Sequence, residues 1–309
     1  MTTGWTLAGH TLGTPNHSVP DALRLFSRAG LDAAEVIWQD GYLSGIPETD
    51  NQALLAEISA VSQELALPVI GLTPYMAGLN SVDETVRHRD IDRFRRSISD
   101  ASILGARVVR VYAGEYTPER SAEHDALWDR LVASLTALAP YAQEHDVTLV
   151  VENHFNTMTM TAAETVALVA DVAHPAVGIL YDQANLTFTH SEEFPEAIEL
   201  QRSFIRHVHA KDLVFVDRNR PFSASAVANV TGEQRSVRSR AIGDGELDWQ
   251  GILAGLSAAG YSGTVSLEYE YRWHPQDLPQ PEIGFRQSAD HLREHLRSIT
   301  ATPREGSPS

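Results

Sequence analysis

The sequence predicts a (β/α)8 barrel. Short β-rich apolar runs alternate with longer amphipathic stretches, the alternation repeats eight times, and 309 residues hold all of it. Strand–helix alternation implies a parallel sheet, because each parallel crossover needs a helix. An open doubly wound sheet usually has about five or six strands, so eight repeats favour a closed barrel.

The elements follow in order. Strands are expected at 5–9, 33–38, 68–71, 107–112, 148–152, 177–182, 205–210 and 264–270. Helical patterns lie near 20–30, 50–66, 83–105, 122–146, 160–173, 190–204, 247–260 and 285–299. Ala-Gly at 29–30, Leu-Gly at 104–105 and Ala-Gly at 259–260 each close a helix just before a strand, where a glycine takes the left-handed cap. Thr161 followed by Glu164 reads as a capping box opening the fifth helix. One domain is expected over 1–300. The long stretch 215–245, rich in Arg, Ser, Asn and Gly, reads as a lid or substrate loop, and the polar tail 301–309 as disordered.

Composition narrows the function. With 41 acidic against 24 basic side chains the formal net charge is −17, and no Lys/Arg run offsets it, so nucleic acid is not an expected partner. A divalent cation is attracted by that charge and a neutral polyol is not penalised. The chain has no cysteine, which excludes disulfides, thiolate zinc sites and cysteine nucleophiles. It begins without the basic end and apolar run of a signal peptide, and no apolar stretch approaches the ~18 residues of a membrane span. A cytoplasmic protein with no membrane partner is expected.

The informative residues stand at strand ends. The fifth strand ends on Glu152, the sixth on Asp182; the seventh carries His207, His209 and Lys211 on one face, and the eighth Glu268 and Glu270. In a barrel the C-terminal strand ends converge on one mouth, so four consecutive strands deliver ionisable groups to one place. Several carboxylates crowded there would repel one another and take up protons unless a cation neutralised them. A hard, oxygen-rich set of this kind suits Mn²⁺, Mg²⁺ or Co²⁺. His154, two residues past Glu152, points the same way if the strand continues, and is read as a proton carrier or substrate contact. Glu35 is read as a binder of substrate hydroxyls, and Lys211 as a partner for a developing oxyanion or a strand-end acid. Trp38, Tyr75 and Tyr112 suit stacking on the C–H face of a sugar. His10, ending the first strand, is a further candidate.

At these residues the chain resembles the xylose-isomerase-like TIM-barrel superfamily of sugar isomerases and epimerases. The resemblance rests on Val150-Val-Glu-Asn-His154, Tyr181-Asp-Gln-Ala-Asn-Leu186, His207-Val-His-Ala-Lys-Asp212, Ile242-Gly-Asp-Gly-Glu-Leu-Asp-Trp249 and Gly263-Thr-Val-Ser-Leu-Glu-Tyr-Glu270. It implies one metal ion, with Mn²⁺ first among the three, on Glu152, Asp182, His209 and Glu268. It also implies that Glu152 and Glu268 move protons in an isomerase or epimerase working through a metal-stabilised enediolate. Two departures bear on the substrate. Asn185, assigned to substrate binding, stands where ketose epimerases carry a histidine, and Phe215 stands where they carry a substrate-gripping arginine. The His-Val-His-Ala-Lys-Asp form is similar to members such as inosose dehydratases. Glu-Asn-His is shared with the catalytic subunit of C-glycoside deglycosidases, which implies His154 as base and a smaller second subunit. Both leave a metal-dependent lyase on an oxo-sugar as the alternative. The partner is then a sugar or glycoside, and an oligomeric assembly is expected.

Overall fold

A computed structural model describes residues 4–222 and 235–301. Eight parallel strands close on themselves: β1 (Thr6–His10), β2 (Ala33–Trp38), β3 (Val69–Pro74), β4 (Val108–Val111), β5 (Thr148–Glu152), β6 (Val177–Asp182), β7 (Ile205–Ala210) and β8 (Thr264–Leu267). Each strand pairs with its sequence neighbours, and β1 closes the ring by pairing with both β8, Thr6 opposite Thr264, and β2, His10 opposite Glu35. The expected (β/α)8 barrel is the observed fold.

Helices pack around the strands: α1 (Val19–Arg28), α2 (Gln52–Leu65), α3 (Glu84–Leu104), α4 (His124–Glu144), α5 (Ala162–Val172), α6 (Gln183–Phe188), α7 (Phe194–Gln201), α8 (Trp249–Ala258) and α9 (Pro281–Ala301). The main apolar core lies between strands and helices, around Phe26, Phe94, Leu135, Trp249 and Phe285. The capping box is formed: Thr161 accepts from the Glu164 amide while the Glu164 carboxylate accepts from the Thr161 amide. Gly105 caps α3 at φ +75°, the left-handed conformation expected of it.

Three features depart from expectation. β8 ends at Leu267 and not at 270, because the chain turns into a 3-10 segment at Glu270–Arg272. The pattern at 190–204 shortens to α7, whose N-terminal turn carries Pro195, and an unexpected short helix, α6, directly follows β6. The long 215–245 stretch begins and ends as an antiparallel pair, Asp212–Phe215 with Val237–Arg240. The Asp212 carboxylate ties its foot, accepting from the amides of Leu213, Gly243, Gly245 and Leu247. A Cβ at Gly245 would lie 1.9 Å from that carboxylate, so only glycine fits. The expected lid tip and the expected disordered tail fall largely outside the described residues.

Period-two alternation sorts the strands into two faces. Val108, Val150 and Leu180 form a separate small apolar cluster. Two residues further along the same three strands stand Arg110, Glu152 and Asp182, so a short apolar plug gives way to a polar layer at the C-terminal end.

Candidate metal centre

Donor atoms of Glu152, Asp182, His209 and Glu268 all lie within 4.8 Å of one another, and all four residues are buried. Each is delivered by a different consecutive strand, as the ends of β5, β6, β7 and β8 converge. Of the two candidates on the last strand, Glu268 joins the group. Glu270 lies outside it, held by the Ser239 hydroxyl at 2.6 Å.

The hydrogen bonds show which atoms are already committed. Asp182 Oδ1 caps α6 by accepting from the Asn185 amide at 3.0 Å, and its buried Oδ2 faces only Lys211 Nζ, at 3.0 Å. His209 Nε2 lies 3.0 Å from Glu35 Oε2, so that nitrogen carries a proton. His209 Nδ1 is then turned toward the carboxylates, buried and unpartnered, 3.7 Å from Glu152 Oε1 and 3.6 Å from Glu268 Oε2. Donors around one ion at ~2.1 Å sit roughly 3–4 Å apart, so this spacing fits a shared cation. A second grouping of His10, Glu35 and His209 is equally tight but already spent on hydrogen bonds. His10 Nδ1 accepts from the Leu12 amide, its Nε2 donates to Thr73 Oγ1 at 2.8 Å, and Glu35 is taken by His209.

Charge leads to the same place. Glu152, Asp182 and Glu268 face two fixed cations, Arg110 and Lys211, while Glu35 faces only His207 and His209. With neutral histidines two negative charges remain, which one divalent ion would cancel. Arg110 is the residue that the sequence reading missed. It is 1% exposed, lies 3.2 Å from Glu152 Oε2 and 4.0 Å from Glu268 Oε1, and donates to the Pro74 carbonyl. Its guanidinium lies over the rings of Tyr75 and Tyr112, at 4.1 and 5.1 Å. The available signal was a single charge inside the apolar run Val-Val-Arg-Val, two residues before Tyr112. Asn153 was also passed over; it exchanges hydrogen bonds with both backbone groups of Asp182.

These contacts set the protonation states. Burial alone would push Glu152 up, yet His154 and Arg110 bring it to about 2. Burial raises Asp182 to about 6, against the pull of Lys211. His209 is desolvated, but Glu35 and Glu268 hold its pKa well above the usual value. Lys211 Nζ lies 2.7 Å from Glu268 and 3.0 Å from Asp182, and despite burial those two carboxylates keep it charged.

The other expected site residues divide. Asn185 and Lys211 line the cavity above the quartet, and Asn185 donates to Glu152 Oε1. His154 stands beside it, with Nδ1 2.7 Å from the Phe155 carbonyl. That carbonyl requires a proton on Nδ1 and leaves the Nε2 lone pair 3.0 Å from the Tyr112 hydroxyl. Burial lowers the His154 pKa to about 4, so the ring is neutral. Tyr75 and Tyr112 reach the site as neighbours of Arg110. Two readings need correction. Glu35 is wholly buried against His207 and His209, where it fixes a histidine and does not meet substrate hydroxyls. Trp38 is three residues on from Glu35 and therefore on the opposite strand face, fully buried, with its indole N–H donating to Asp100 at 2.7 Å. It packs the outer core and does not stack on a sugar.

A family model described as xylose isomerase-like TIM barrel matches residues 23–295. The chain belongs to that family. Relatives of the family include the inosose dehydratase of Geobacillus thermodenitrificans, 29% identical over 151 residues, 46% of this chain and 47% of that protein. The chain thus spans about half the length of the inosose dehydratases that it matches. The fructoselysine 3-epimerase of Shigella flexneri is 24% identical over 95% of this chain and 97% of its own. Among solved structures, a D-tagatose 3-epimerase-like protein matches with a TM-score of 0.74 at 17% identity, covering 95% of this chain and 98% of its own. A xylose isomerase-like TIM barrel protein from Mycobacterium smegmatis in complex with magnesium matches with a TM-score of 0.72 at 18% identity, over 97% and 100%. Members of the family thus include sugar epimerases and inosose dehydratases. No helix among the described residues is long and apolar enough to cross a membrane.

Proposed function

We propose that the protein is a divalent-metal-dependent sugar isomerase or epimerase. The observation that carries this reading is the buried quartet Glu152, Asp182, His209 and Glu268, with the unpartnered His209 Nδ1 turned toward its carboxylates. Its single nitrogen and three carboxylates suit Mn²⁺ first, with Mg²⁺ or Co²⁺ as substitutes. When bound there, such an ion would polarise a sugar carbonyl and acidify the neighbouring C–H.

The chain's own residues supply the remainder. Glu152, with a pKa of about 2, is ionised and is oriented by Arg110 and Asn185, so one carboxylate stands ready to take the proton. Glu268 is its counterpart, held by Lys211 and facing Arg110 from the other side. A proton taken by one glutamate and returned by the other gives an epimer; returned to the neighbouring carbon, it gives an isomer. Lys211 places a cation beside the oxygen on which negative charge develops. The near full-length match to an epimerase is consistent with this reading.

A lyase acting on an oxo-sugar is the second reading, and one observation favours it: His154 is a neutral imidazole beside Phe155, which lines the cavity, and its Nε2 can take a proton. In that case His154 is the base, expulsion of a β-leaving group completes the step, and a smaller second subunit is required only in the deglycosidase-like form.

Incubation with a panel of ketoses, inososes and oxo-glycosides, with Mn²⁺ in deuterated water and NMR detection, separates the readings. Deuterium entering one carbon together with an epimer or isomer supports the first. An unsaturated product or a released aglycone overturns it in favour of the lyase, and no turnover of any member rejects both. His154→Gln sharpens the choice. A loss of about 10- to 100-fold fits a positioning contact, whereas one of about 100- to 10,000-fold fits a general base.

A further inference from the structure

Helix α9 carries a second set of nitrogen donors, on the outside of the barrel. His291 and His295 stand one turn apart on the same helix face, and their Nε2 atoms lie 3.1 Å from each other. The rings meet edge to face, with 82° between planes and 4.6 Å between centroids. Between two neutral imidazoles one nitrogen must donate and the other accept, so a single proton lies between two nitrogens that converge on one point. Two nitrogens bound to one ion at about 2.1 Å lie about 3.0–3.4 Å apart. The observed spacing therefore admits a cation in the proton's place after only a small rotation of the rings.

The surroundings hold this geometry. The His291 ring lies against the backbone of Gly243, where a Cβ would come within 2.5 Å of Nδ1. That loop is pinned to α9 on both sides of the contact: the Ile242 amide donates to the Ser288 hydroxyl at 3.0 Å, and the Gln287 side chain donates to Asp244 at 2.6 Å. A ring already held in place loses little further freedom on binding an ion. Burial and the neighbouring His295 hold the His291 pKa below the usual histidine range, while Asp244 and Glu294 bring negative charge to it. Both histidines are partly exposed, which leaves them within reach of an ion from solvent.

We propose that His291 and His295 form a second metal site, a two-imidazole chelate for a transition ion such as Cu²⁺, Ni²⁺ or Zn²⁺, with water in the remaining positions. Imidazole nitrogen suits these ions, whereas Mn²⁺ and Mg²⁺ favour the oxygen-rich quartet. An ion there bridges one turn of α9 and, through His291, braces the loop whose Gly243 and Gly245 amides clasp Asp212.

Counting nitrogens tests the site, because the quartet offers one nitrogen and the pair offers two. Cu²⁺ titrated into the full chain and followed by electron paramagnetic resonance should give a species with two bound imidazole nitrogens. His291→Gln and His295→Gln should each reduce that species to one nitrogen and bind one Cu²⁺ fewer in equilibrium dialysis; His209→Ala should leave it in place. Thermal unfolding without metal guards against a folding defect, and two separate substitutions keep the test decisive if one of them unfolds the helix. Absence of a two-nitrogen species in the wild type would overturn the site. So would a two-nitrogen species that survives both Gln substitutions, or one that disappears with His209→Ala. A wild-type chain that shows only the two-nitrogen species keeps this site and counts against the quartet; one that shows only a one-nitrogen species lost with His209→Ala does the reverse.

Discussion

Strands β5–β8 present Glu152, Asp182, His209 and Glu268 to one point, while β1–β4 present His10, Glu35, Thr73 and Arg110 to the same interior. The strands of both halves obey the same alternation, yet their polar residues do different work. On the first side lie donors with free lone pairs. On the second lie groups that hold those donors: Glu35 fixes which nitrogen of His209 faces inward, and Arg110 bears on the far oxygens of both glutamates. A barrel interior can thus be polar on all sides and still have one reactive side, because what matters is which atoms are left uncommitted.

The comparison can be broken at its strongest point first. His209→Ala should abolish both Mn²⁺ binding and turnover, since it removes the only nitrogen donor and leaves three carboxylates crowded; Mn²⁺ affinity within a factor of two of wild type would mean that the quartet is wrong. On the supporting side, Arg110→Met should lower stability by about 3–5 kcal/mol, the usual cost of stranding one partner of a buried ion pair. Thermal unfolding measures this, and a loss below about 1 kcal/mol would remove Arg110 from its role.

Smaller effects sharpen the picture. Glu35→Gln should weaken Mn²⁺ binding by roughly 10- to 100-fold through loss of histidine orientation, with the quartet untouched; titration at fixed pH decides. Protonation adds a direction. Metal binding requires His209 Nδ1 and Asp182 to be free of protons, whereas His209 is held above its ordinary pKa and Asp182 is raised to about 6. Each proton that must leave steepens the dependence, so Mn²⁺ affinity should rise by about tenfold per pH unit while one proton is displaced, and more steeply below pH 6. A flat profile between about pH 5 and 8 would contradict both shifts. At the smallest end, Trp38→Phe should leave sugar affinity unchanged while costing about 0.5–1.5 kcal/mol of stability from one lost hydrogen bond to Asp100, which keeps Asn51 as a donor.

The sequence made the donor side readable and the supporting side hard to read. Glu152 and Asp182 each end an apolar run, and that position alone places them at the mouth. The two-residue period gives Glu35 and Arg110 the correct face, but it does not say how deep they sit or which strand's side chain they meet across the barrel. Glu35 was therefore read as a sugar contact when its partner is His209, 174 residues away. Trp38 stands at a strand end, as a sugar-stacking residue would, but three residues on from Glu35 it takes the opposite parity and faces away from the mouth. The eight strands were legible because alternation of apolar runs with helical patterns is a local property. The hairpin after β7 was not, since its pairing depends on the Asp212 clasp and on residues more than twenty positions apart.

The two resident cations have a consequence for how the protein is made. Four acidic side chains drawn together by a closing barrel would oppose the last stages of folding, yet Arg110 and Lys211 arrive on the same chain and at the same time. The newly synthesised polypeptide can therefore close its ring before any ion reaches it. An ion taken up there would load later, displacing protons from a finished site and competing with the Lys211 ammonium for Asp182 and Glu268. The choice among manganese, magnesium and cobalt would then fall to whichever is available to the folded protein, and not to the folding pathway.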